Sequence, residues 1–428
     1  MRAWSPSRVA EAAGARILSP AAPTDGAGPE RVTIDSRDVR PGDLFVGLRG
    51  EHVDGGSFAA AALDAGAWGV LIGHGHAVGD GRVLEAEDPL AALQALAVAW
   101  RRELGARVIG VTGSTGKTST KDLLAEMVAT GRRVTATAQN LNTEIGLPLT
   151  ILGAPEGTEV LVLEMAMRGA GQIAELVAIA EPDVGLITNI GPVHLEQLGT
   201  LEAIAAEKAG VIDGLRPGGT AVVPAGEPLL APHLRVDVRT VTFGPGGDVD
   251  DLGGVELPFT SAHMTRNGMA ALAAARAVGV EPHGPIDVLL SARRGQRIEL
   301  PGPVVVLDDC YNANPMSMRA ALDELAATAG GRRVAVLGDM LELGPGEGRF
   351  HEEIGEHARD RGVDVLVTVG PRAAHMAGTF GGATHRVADA AAAATLVTGL
   401  VAPGDTVLVK ASRGVGLEAV TEALQQHG

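Results

Sequence analysis

The residues best suited to chemistry lie in the segment RVIGVTGSTGKTST, residues 107–120. An apolar stretch leads into a glycine-rich turn, and a lysine is followed by hydroxyl residues. Glycines let backbone N–H groups close around phosphate oxygens, a lysine offsets their charge, and a threonine hydroxyl can bind Mg²⁺. Because Val111 stands where the longer pattern has glycine, the spacing is that of a shorter G-x-x-G-K-T loop. We predict a phosphate-binding loop; the alternative is a strand–helix turn with a surface lysine. The loop residues are Gly113, Ser114, Thr115, Gly116, Lys117 and Thr118.

Three further residues could complete such a site. Glu164 ends the apolar run VLVLE, and a carboxylate at the carboxyl end of a parallel strand is well placed for Mg²⁺. His194 lies in the loop segment NIGPVHLEQLG and could bind a second metal, although a loop histidine is often incidental. Lys208 lies in the helical segment EAIAAEKAGVI, and its residue type alone indicates a solvated side chain.

A second polar group follows the apolar run VVVLDD, which ends at Asp309. Acids at a strand end suggest a binding site, and Asn312 and Asn314 of the next segment, CYNANP, can stabilise a turn. The alternative is a polar turn that caps the next helix. In LVKASRGVGLE, Lys410 and Arg413 could close over an anionic ligand or form the start of a helix.

The elements that position these residues alternate between strand and helix. The runs VIGV, VLVLEM and VGLITNI are continuously apolar and are each followed by a helical segment, which predicts a parallel sheet covered on both faces. A second alternating block begins near residue 291. Asp88 and Pro89 have the pattern of a helix start. We predict an α/β protein with domains at residues 1–88, 89–290 and 291–428.

Composition narrows the class of protein. The net charge of −17 and the aromatic content of 2% are unfavourable for nucleic-acid binding. Cys310 is the only cysteine, which excludes an internal disulfide, and we expect it to pack in a core. The first residues have no signal-peptide pattern, and no apolar run is long enough to span a membrane. We therefore expect a cytoplasmic protein.

Together, the motifs resemble the Mur ligase family over nearly the whole chain. The matching segments include TIDSRDVRPGDLFVGLRGEHVDGGSF, VTGSTGKTSTK, NLNTEIGLPLTIL, EMAMRGAGQI, TNIGPVHLEQLGTLEAIAAEKAGVI, DDCYNANPMSM, VLGDMLELG and LVKASRGVGLE. The resemblance implies a small α/β N-terminal domain for UDP-MurNAc-peptide, a central ATP-binding P-loop domain with helices on both faces of its sheet, and a Rossmann-like C-terminal domain.

YNANP and GDMLELG are typical of the branch that adds D-alanyl-D-alanine. This branch implies a monomeric ligase of cytoplasmic peptidoglycan synthesis that uses ATP and Mg²⁺. ATP phosphorylates UDP-MurNAc-tripeptide, D-alanyl-D-alanine attacks the acyl phosphate, and UDP-MurNAc-pentapeptide, ADP and phosphate result.

The resemblance also implies residue roles. The catalytic group would be Lys117, Glu164, His194 and Lys208. Metal binding would involve Thr118, Glu164, His194 and Lys208, the last as a carbamate. Besides the phosphate loop, ATP would contact His263, Asn267, Arg294 and Asp309. The UDP-sugar-peptide and dipeptide would contact Ser36, Arg37, His52, Asp54, Asn142, Thr143, Asn312 and Asn314.

The sequence departs from the family pattern at a few positions. The usual H-N-x-x-N segment has Met264 after His263, Ala166 stands where glycine is common, and the stretch between Phe243 and His263 is short.

The alternative functions are those of a sibling ligase that adds the third amino acid, folylpolyglutamate synthase, an NTPase that switches or moves a partner, and a non-catalytic relative. YNANP and GDMLELG argue against the sibling enzymes, and the combination of motifs argues against the other two.

Overall fold

The structure is a computed structural model that describes residues 1, 3–18, 27–76, 78 and 80–427. In this part of the chain, three mainly parallel sheets of five or six strands follow one another along the sequence, with helices packed against them, and a small two-stranded sheet accompanies them. This arrangement confirms the three-part α/β fold class. Within the same residues, we find no helix with the length and apolar character needed to cross a membrane.

The first sheet has the strand order β1-β5-β4-β3-β2 and is parallel except for the pair β1–β5. Its strands are β1 (Arg16–Ile17), β2 (Arg31–Thr33), β3 (Asp43–Val46), β4 (Gly69–Ile72) and β5 (Val83–Glu85). The accompanying helices are α1 (Pro6–Ala12), α2 (Ala59–Asp64) and α3 (Pro89–Leu104). The predicted start of α3 is confirmed, because the Asp88 carboxylate accepts a hydrogen bond from Leu90 N–H at 2.8 Å and Pro89 occupies the first turn.

The central sheet is wholly parallel, with the order β11-β10-β9-β6-β8-β7. Its strands are β6 (Arg107–Thr112), β7 (Val134–Ala136), β8 (Val160–Glu164), β9 (Val184–Ile187), β10 (Thr220–Pro224) and β11 (Arg239–Phe243). The helices of this region are α4 (Lys117–Ala129), α5 (Gly146–Leu152), α6 (Gln172–Ala180), α7 (Leu195–Leu198), α8 (Leu201–Asp213) and α9 (Ala262–Ala277). In the short stretch after Phe243, β12 (Val255–Glu256) pairs in parallel with β13 (Gly284–Pro285).

Alternate side chains of the central strands enter two different cores. In β8, Leu161 and Leu163 pack on the side of α3, α5, α6 and α8, whereas Val160 and Val162 pack on the side of α4 and α9. Both faces of the sheet are therefore covered, which explains why these strands are continuously apolar in sequence. The first core also contains Leu44 and Leu84 of the first sheet, so that sheet shares a core with the central one.

The third sheet has the order β14-β15-β19-β16-β17-β18, and only the pair β14–β15 is antiparallel. Its strands are β14 (Gln296–Leu300), β15 (Val304–Asp308), β16 (Arg333–Gly338), β17 (Val365–Val369), β18 (Ala383–Val387) and β19 (Thr406–Lys410). Its helices are α10 (Pro315–Thr328), α11 (Glu347–Asp360), α12 (Ala374–Phe380), α13 (Ala390–Leu400) and α14 (Glu418–His427). Cys310 is buried in one of the two cores flanking this sheet, as predicted.

Candidate active site

A cavity of about 1300 Å³ lies between the central and third sheets, at the carboxyl ends of their parallel strands. Parallel α/β sheets commonly bind ligands at this end. Most of the predicted site residues line the cavity: Ser114, Thr115, Gly116, Lys117, Thr118, Asn142, Thr143, Glu164, His194, His263, Asn267, Arg294, Asp309, Asn312 and Asn314. Residues distant in sequence are thus brought together in one space.

The predicted phosphate loop connects β6 to α4. Gly113 and Gly116 have φ angles of 146° and 75°, which favour glycine. A Cβ atom on Gly113 would lie 1.8 Å from Thr188 Oγ1, and one on Gly116 would lie 2.7 Å from Asn267 Oδ1. Both glycines are therefore required by backbone conformation and by close neighbours.

The loop after β9 braces the phosphate loop. Asn189 Oδ1 accepts a hydrogen bond from Thr115 N–H at 2.9 Å, and Thr188 Oγ1 donates to the Thr115 carbonyl at 2.6 Å. Ser114 Oγ donates to the Gly191 carbonyl at 3.0 Å. These contacts fix the backbone of the loop, which suits an anion-binding site.

Two lysines meet beneath this loop. Lys117 Nζ donates to the Gly113 carbonyl at 2.8 Å, and Lys208 Nζ donates to the same oxygen at 3.1 Å. Burial lowers the pKa of Lys117. The pKa of Lys208 is lowered well below its ordinary value by burial and then by the charge of Lys117. Lys208 is therefore a buried group at the site, which the residue type alone did not indicate.

Thr118 and Glu164 form the buried floor of the cavity. Thr118 Oγ1 donates to Glu164 Oε2 at 2.7 Å, and Asn142 Nδ2 donates to Glu164 Oε1 at 2.8 Å. Hydroxyl and carboxylate oxygens are donors that Mg²⁺ prefers, so this pair fits the ion. Among the described residues, no three His, Cys, Asp or Glu side chains form a metal cluster. Mg²⁺ held here would thus depend on phosphate and water oxygens as well, which is its usual mode with nucleotides.

His194 contacts the third sheet. Its Nδ1 atom lies 2.5 Å from Glu342 Oε2, and its φ angle of 52° is in the left-handed region. Burial lowers the pKa of His194, and the neighbouring Glu342 carboxylate opposes that shift. The structure thus places this predicted metal ligand at the edge of the site, with one ring nitrogen already engaged.

Asp309 and Asn312 lie in a turn fixed by a buried lysine. Lys410 Nζ lies 2.5 Å from Asp309 Oδ2 and donates to the Asn312 carbonyl at 3.0 Å. Asn314 caps α10 by accepting from Ser317 N–H at 3.0 Å. The polar turn therefore does both things that the sequence left open: it caps the next helix and lines the cavity.

Arginines flank this turn on the third-sheet side. The guanidinium of Arg294 lies 3.9 Å from the ring centre of Tyr311, and that of Arg413 lies 5.2 Å from it. Arg413 also donates to the Tyr311 hydroxyl at 3.2 Å. Stacking on one ring concentrates positive charge at the mouth of the cavity.

His263 and Glu324 face each other across the cavity from α9 and α10. Their nearest nitrogen and oxygen atoms are 3.6 Å apart, too far for a hydrogen bond. Burial lowers the pKa of His263, whereas burial and the charge of Asp309 raise the pKa of Glu324 to about 7. His263 therefore favours its neutral form, and about half of the Glu324 carboxyls keep their proton near pH 7, so the pair is a close contact rather than a full ion pair.

The residues predicted to hold the UDP group lie on the first sheet, away from this cavity. Ser36 and Arg37 are in a short 3₁₀ turn, where Arg37 pairs with Asp35 at 2.8 Å. Asp54 caps another such turn by accepting from Gly56 N–H at 3.0 Å. His52 is exposed in the preceding loop. Their role in binding stays a prediction.

Sequence reasoning missed several residues that the fold brings to the site. They are Thr188, Asn189, Glu324 and Glu342. Three of them lay in quoted segments: Thr188 and Asn189 in TNIGPVHLEQLG, and Glu342 in GDMLELG. Those motifs were the available signal, but their contacts join positions far apart in sequence and required the fold.

Comparison with protein families gives three matches that follow one another along the chain. Residues 30–110 match the model described as Mur ligase family, catalytic domain. Residues 111–275 match the Mur ligase middle domain, and residues 293–413 match the Mur ligase glutamate ligase domain.

Individual relatives resemble the chain over most of its length. It is 37% identical to UDP-N-acetylmuramoyl-tripeptide--D-alanyl-D-alanine ligase of Bacillus subtilis strain 168, with 92% of each chain covered. It is 39% identical to the enzyme of the same name from Synechocystis sp. strain PCC 6803, covering 92% of this chain and 91% of that one. The crystal structure of MurF ligase from Thermotoga maritima in complex with ADP superposes with a TM-score of 0.81, at 32% identity and covering 93% and 97% of the two chains.

Proposed function

Because the chain belongs to the Mur ligase family, we propose that it joins D-alanyl-D-alanine to UDP-MurNAc-tripeptide at the expense of ATP. The products are UDP-MurNAc-pentapeptide, ADP and phosphate, as needed for peptidoglycan precursors. The observation that carries the proposal is the shared cavity, in which the phosphate loop faces the YNANP turn and Glu342 of GDMLELG. Relatives similar over nine-tenths of the chain carry the name of this activity.

The arrangement suits the activation of a carboxylate. A carboxylate is a poor electrophile, whereas its acyl phosphate has a good leaving group that an amine can displace. The phosphate loop and the N-terminus of α4 would hold the nucleotide phosphates, with Lys117 offsetting charge where two anions must meet. Bound Mg²⁺ would supply further charge stabilisation at the transferred phosphoryl group. Thr118 and Glu164 would hold that ion from the cavity floor.

We assign the remaining predicted residues according to where they lie. Lys117, Glu164, His194 and Lys208 form the proposed catalytic group around the phosphate loop. His263, Asn267, Arg294 and Asp309 surround the nucleotide end of the cavity and are its proposed contacts. Asn142 is near the phosphoryl end, through its hydrogen bond to Glu164.

The three sheet regions suggest a separate role for each part of the chain. Residues 1–88 would hold the UDP-sugar, residues 89–290 would hold ATP, and residues 291–428 would close the site. Contacts between the last two regions support this role: Ser291 N–H donates to Asp122 Oδ2 at 2.9 Å, and Glu342 contacts His194. Closure of this kind would exclude water from the acyl phosphate. A free buried cysteine suits a reducing cytoplasm, and we propose that the protein acts there as a monomer.

The test is product formation. Purified protein would be incubated with ATP, Mg²⁺ and UDP-MurNAc-tripeptide, with and without D-alanyl-D-alanine, followed by phosphate measurement and mass spectrometry. We expect phosphate release that needs both substrates and a product heavier by one dipeptide less water. Phosphate release indifferent to the dipeptide, or a product that carries one amino acid, would reject the proposal in favour of an NTPase or a sibling ligase.

A further inference from the structure

A direct contact joins His194 of the central sheet region to Glu342 of the third. The imidazole Nδ1 atom lies 2.5 Å from the carboxylate Oε2 atom, although 148 positions separate the residues in sequence. His194 follows β9, and Glu342 follows β16. The contact therefore exists only while the third sheet is docked against the central one.

The backbone at both ends of this contact is unusual. His194 and Glu342 have φ angles of 52° and 64°. This left-handed conformation is unfavourable for residues with a side chain and persists where the surrounding structure enforces it, often at functional sites. An incidental surface pair needs no such backbone at either end.

The segment that carries Glu342 is fixed to the third sheet. Met340 N–H donates to Nε2 of the buried His351 at 3.0 Å, and Leu341 N–H donates to Ser412 Oγ at 3.0 Å. His351 belongs to α11, and Ser412 follows β19. Glu342 must therefore move together with the third sheet.

We propose that Glu342 is a positioning residue that orients the His194 imidazole when the third sheet docks. A carboxylate that accepts a hydrogen bond from Nδ1–H keeps the proton on that nitrogen and leaves the Nε2 lone pair free, on a residue that lines the cavity. The use of that lone pair as a metal donor rests on the proposed function. Docking of the third sheet would then complete the donor set as well as enclose the nucleotide, so phosphoryl transfer waits for closure.

The test compares Glu342→Ala with Glu342→Gln, which keeps an acceptor oxygen. Glu352→Ala is the matched control, because Glu352 lies 3.7 Å from His375 within the third sheet region, away from the cavity. Histidine-ring ¹⁵N–¹H spectra of nucleotide-free protein would report the His194 tautomer, and steady-state kinetics would give kcat and KM. The Glu342 side chain is 40% exposed, so its truncation leaves the cores intact, which a thermal melt would verify.

We expect the wild type, Glu342→Gln and Glu352→Ala to show His194 protonated at Nδ1. Glu342→Ala should lose this preference and lower kcat by about 10- to 100-fold, with less change in KM for ATP. Glu342→Gln should retain most of kcat. Unchanged His194 ring signals in Glu342→Ala would overturn the proposal, whatever its kcat. If the wild-type protein formed no pentapeptide, the proposed function would be rejected. The spectra would still test the contact between Glu342 and His194, because they do not depend on turnover.

Discussion

Lys117 and Lys208 donate hydrogen bonds to one carbonyl oxygen, that of Gly113, at 2.8 and 3.1 Å. Their two amine nitrogens can therefore be no more than about 6 Å apart. Both lie under the phosphate loop, and Lys208 is only 1% exposed. Burial disfavours the ammonium form of Lys208, and the nearby charge of Lys117 disfavours it further, so the pKa of Lys208 falls well below its ordinary value.

A neutral Lys208 amine can react with CO₂, because only the unprotonated amine is a nucleophile. The resulting carbamate would be anionic and would turn repulsion between the two lysines into attraction. We predict a carbamate ¹³C signal when the protein is equilibrated with ¹³C-bicarbonate. Lys208→Met should abolish the signal and, if the carbamate binds Mg²⁺ as proposed, lower kcat at least about 100-fold.

Lys121 supplies the matched control for this prediction. It is also buried, but it lies 2.5 Å from Asp122 and donates to the Thr137 carbonyl at 2.8 Å. Because the Lys121 amine is already engaged by a carboxylate and a carbonyl, Lys121→Met should leave the carbamate signal intact. A signal that disappears in Lys121→Met and survives in Lys208→Met would show that Lys121 carries the carbamate and would contradict our assignment to Lys208.

Gly113→Ala should strongly weaken nucleotide binding. The new Cβ would lie 1.8 Å from Thr188 Oγ1, and the φ angle of 146° is unfavourable for alanine. Relief would require Thr188 to move, which would break its hydrogen bond to the Thr115 carbonyl. We expect ADP affinity by calorimetry to fall at least about tenfold and stability to fall by about 1–3 kcal/mol. Gly330→Ala is the control, since no atom lies within 4 Å of its new Cβ, and wild-type-like ADP binding in Gly113→Ala would contradict the loop geometry.

Asn142→Ala should raise the Mg²⁺ concentration needed for half-maximal activity. The Asn142 amide donates to Glu164 Oε1 at 2.8 Å and helps to hold the other carboxylate oxygen beside Thr118. Partners of this kind that orient a metal-binding group are commonly worth about 10- to 100-fold in affinity or activity. Asn140→Ala removes an exposed amide from the same cavity wall and should have little effect. Equal Mg²⁺ titration curves for the two variants would show that Asn142 does not position Glu164.

The site was partly predictable from sequence because some of its groups are formed by residues that are neighbours in the chain. The phosphate loop could be placed since a glycine-rich turn between an apolar strand and a helix forms from neighbouring residues. Lys208 could not, because a lysine in an alanine-rich helix gives no sign that its side chain reaches Gly113. The resemblance to the family supplied its proposed role. Glu342 and Thr188 depend on contacts across the fold, which no local pattern encodes.

The strands of the fold also differ in whether the sequence predicted them, and the difference follows their burial. The buried strands β6, β8, β9 and β15 appear as apolar runs and were predicted. The edge strands β14 and β18 were not, because their sequences QRIEL and ATHRV contain only exposed and half-buried positions and have no continuous apolar run. Polar edge strands of this kind discourage pairing with other chains, and the same polarity hides them in sequence.

Glu324→Gln should stabilise the protein at alkaline pH. Burial and the charge of Asp309 raise the pKa of Glu324 from about 4.5 to about 7, and its side chain is 25% exposed. The folded protein thus holds a proton that the unfolded chain releases near pH 4.5. Stability due to this group is present at low pH, declines as the pH rises from 4.5 to 7, and is fully lost above 7. Glutamine is neutral throughout, so the variant should gain about 1–3 kcal/mol at pH 8 and almost nothing at pH 4.5.

Denaturant unfolding of Glu324→Gln and wild type across this pH range would measure the difference. Glu356→Gln is the matched control, because Glu356 lies on the exposed face of α11. Its stability difference from the wild type should be small and nearly constant with pH. A gain in Glu324→Gln that is equally large at pH 4.5 would show that the change acts through packing, since only a proton held by Glu324 makes the benefit grow as the pH rises.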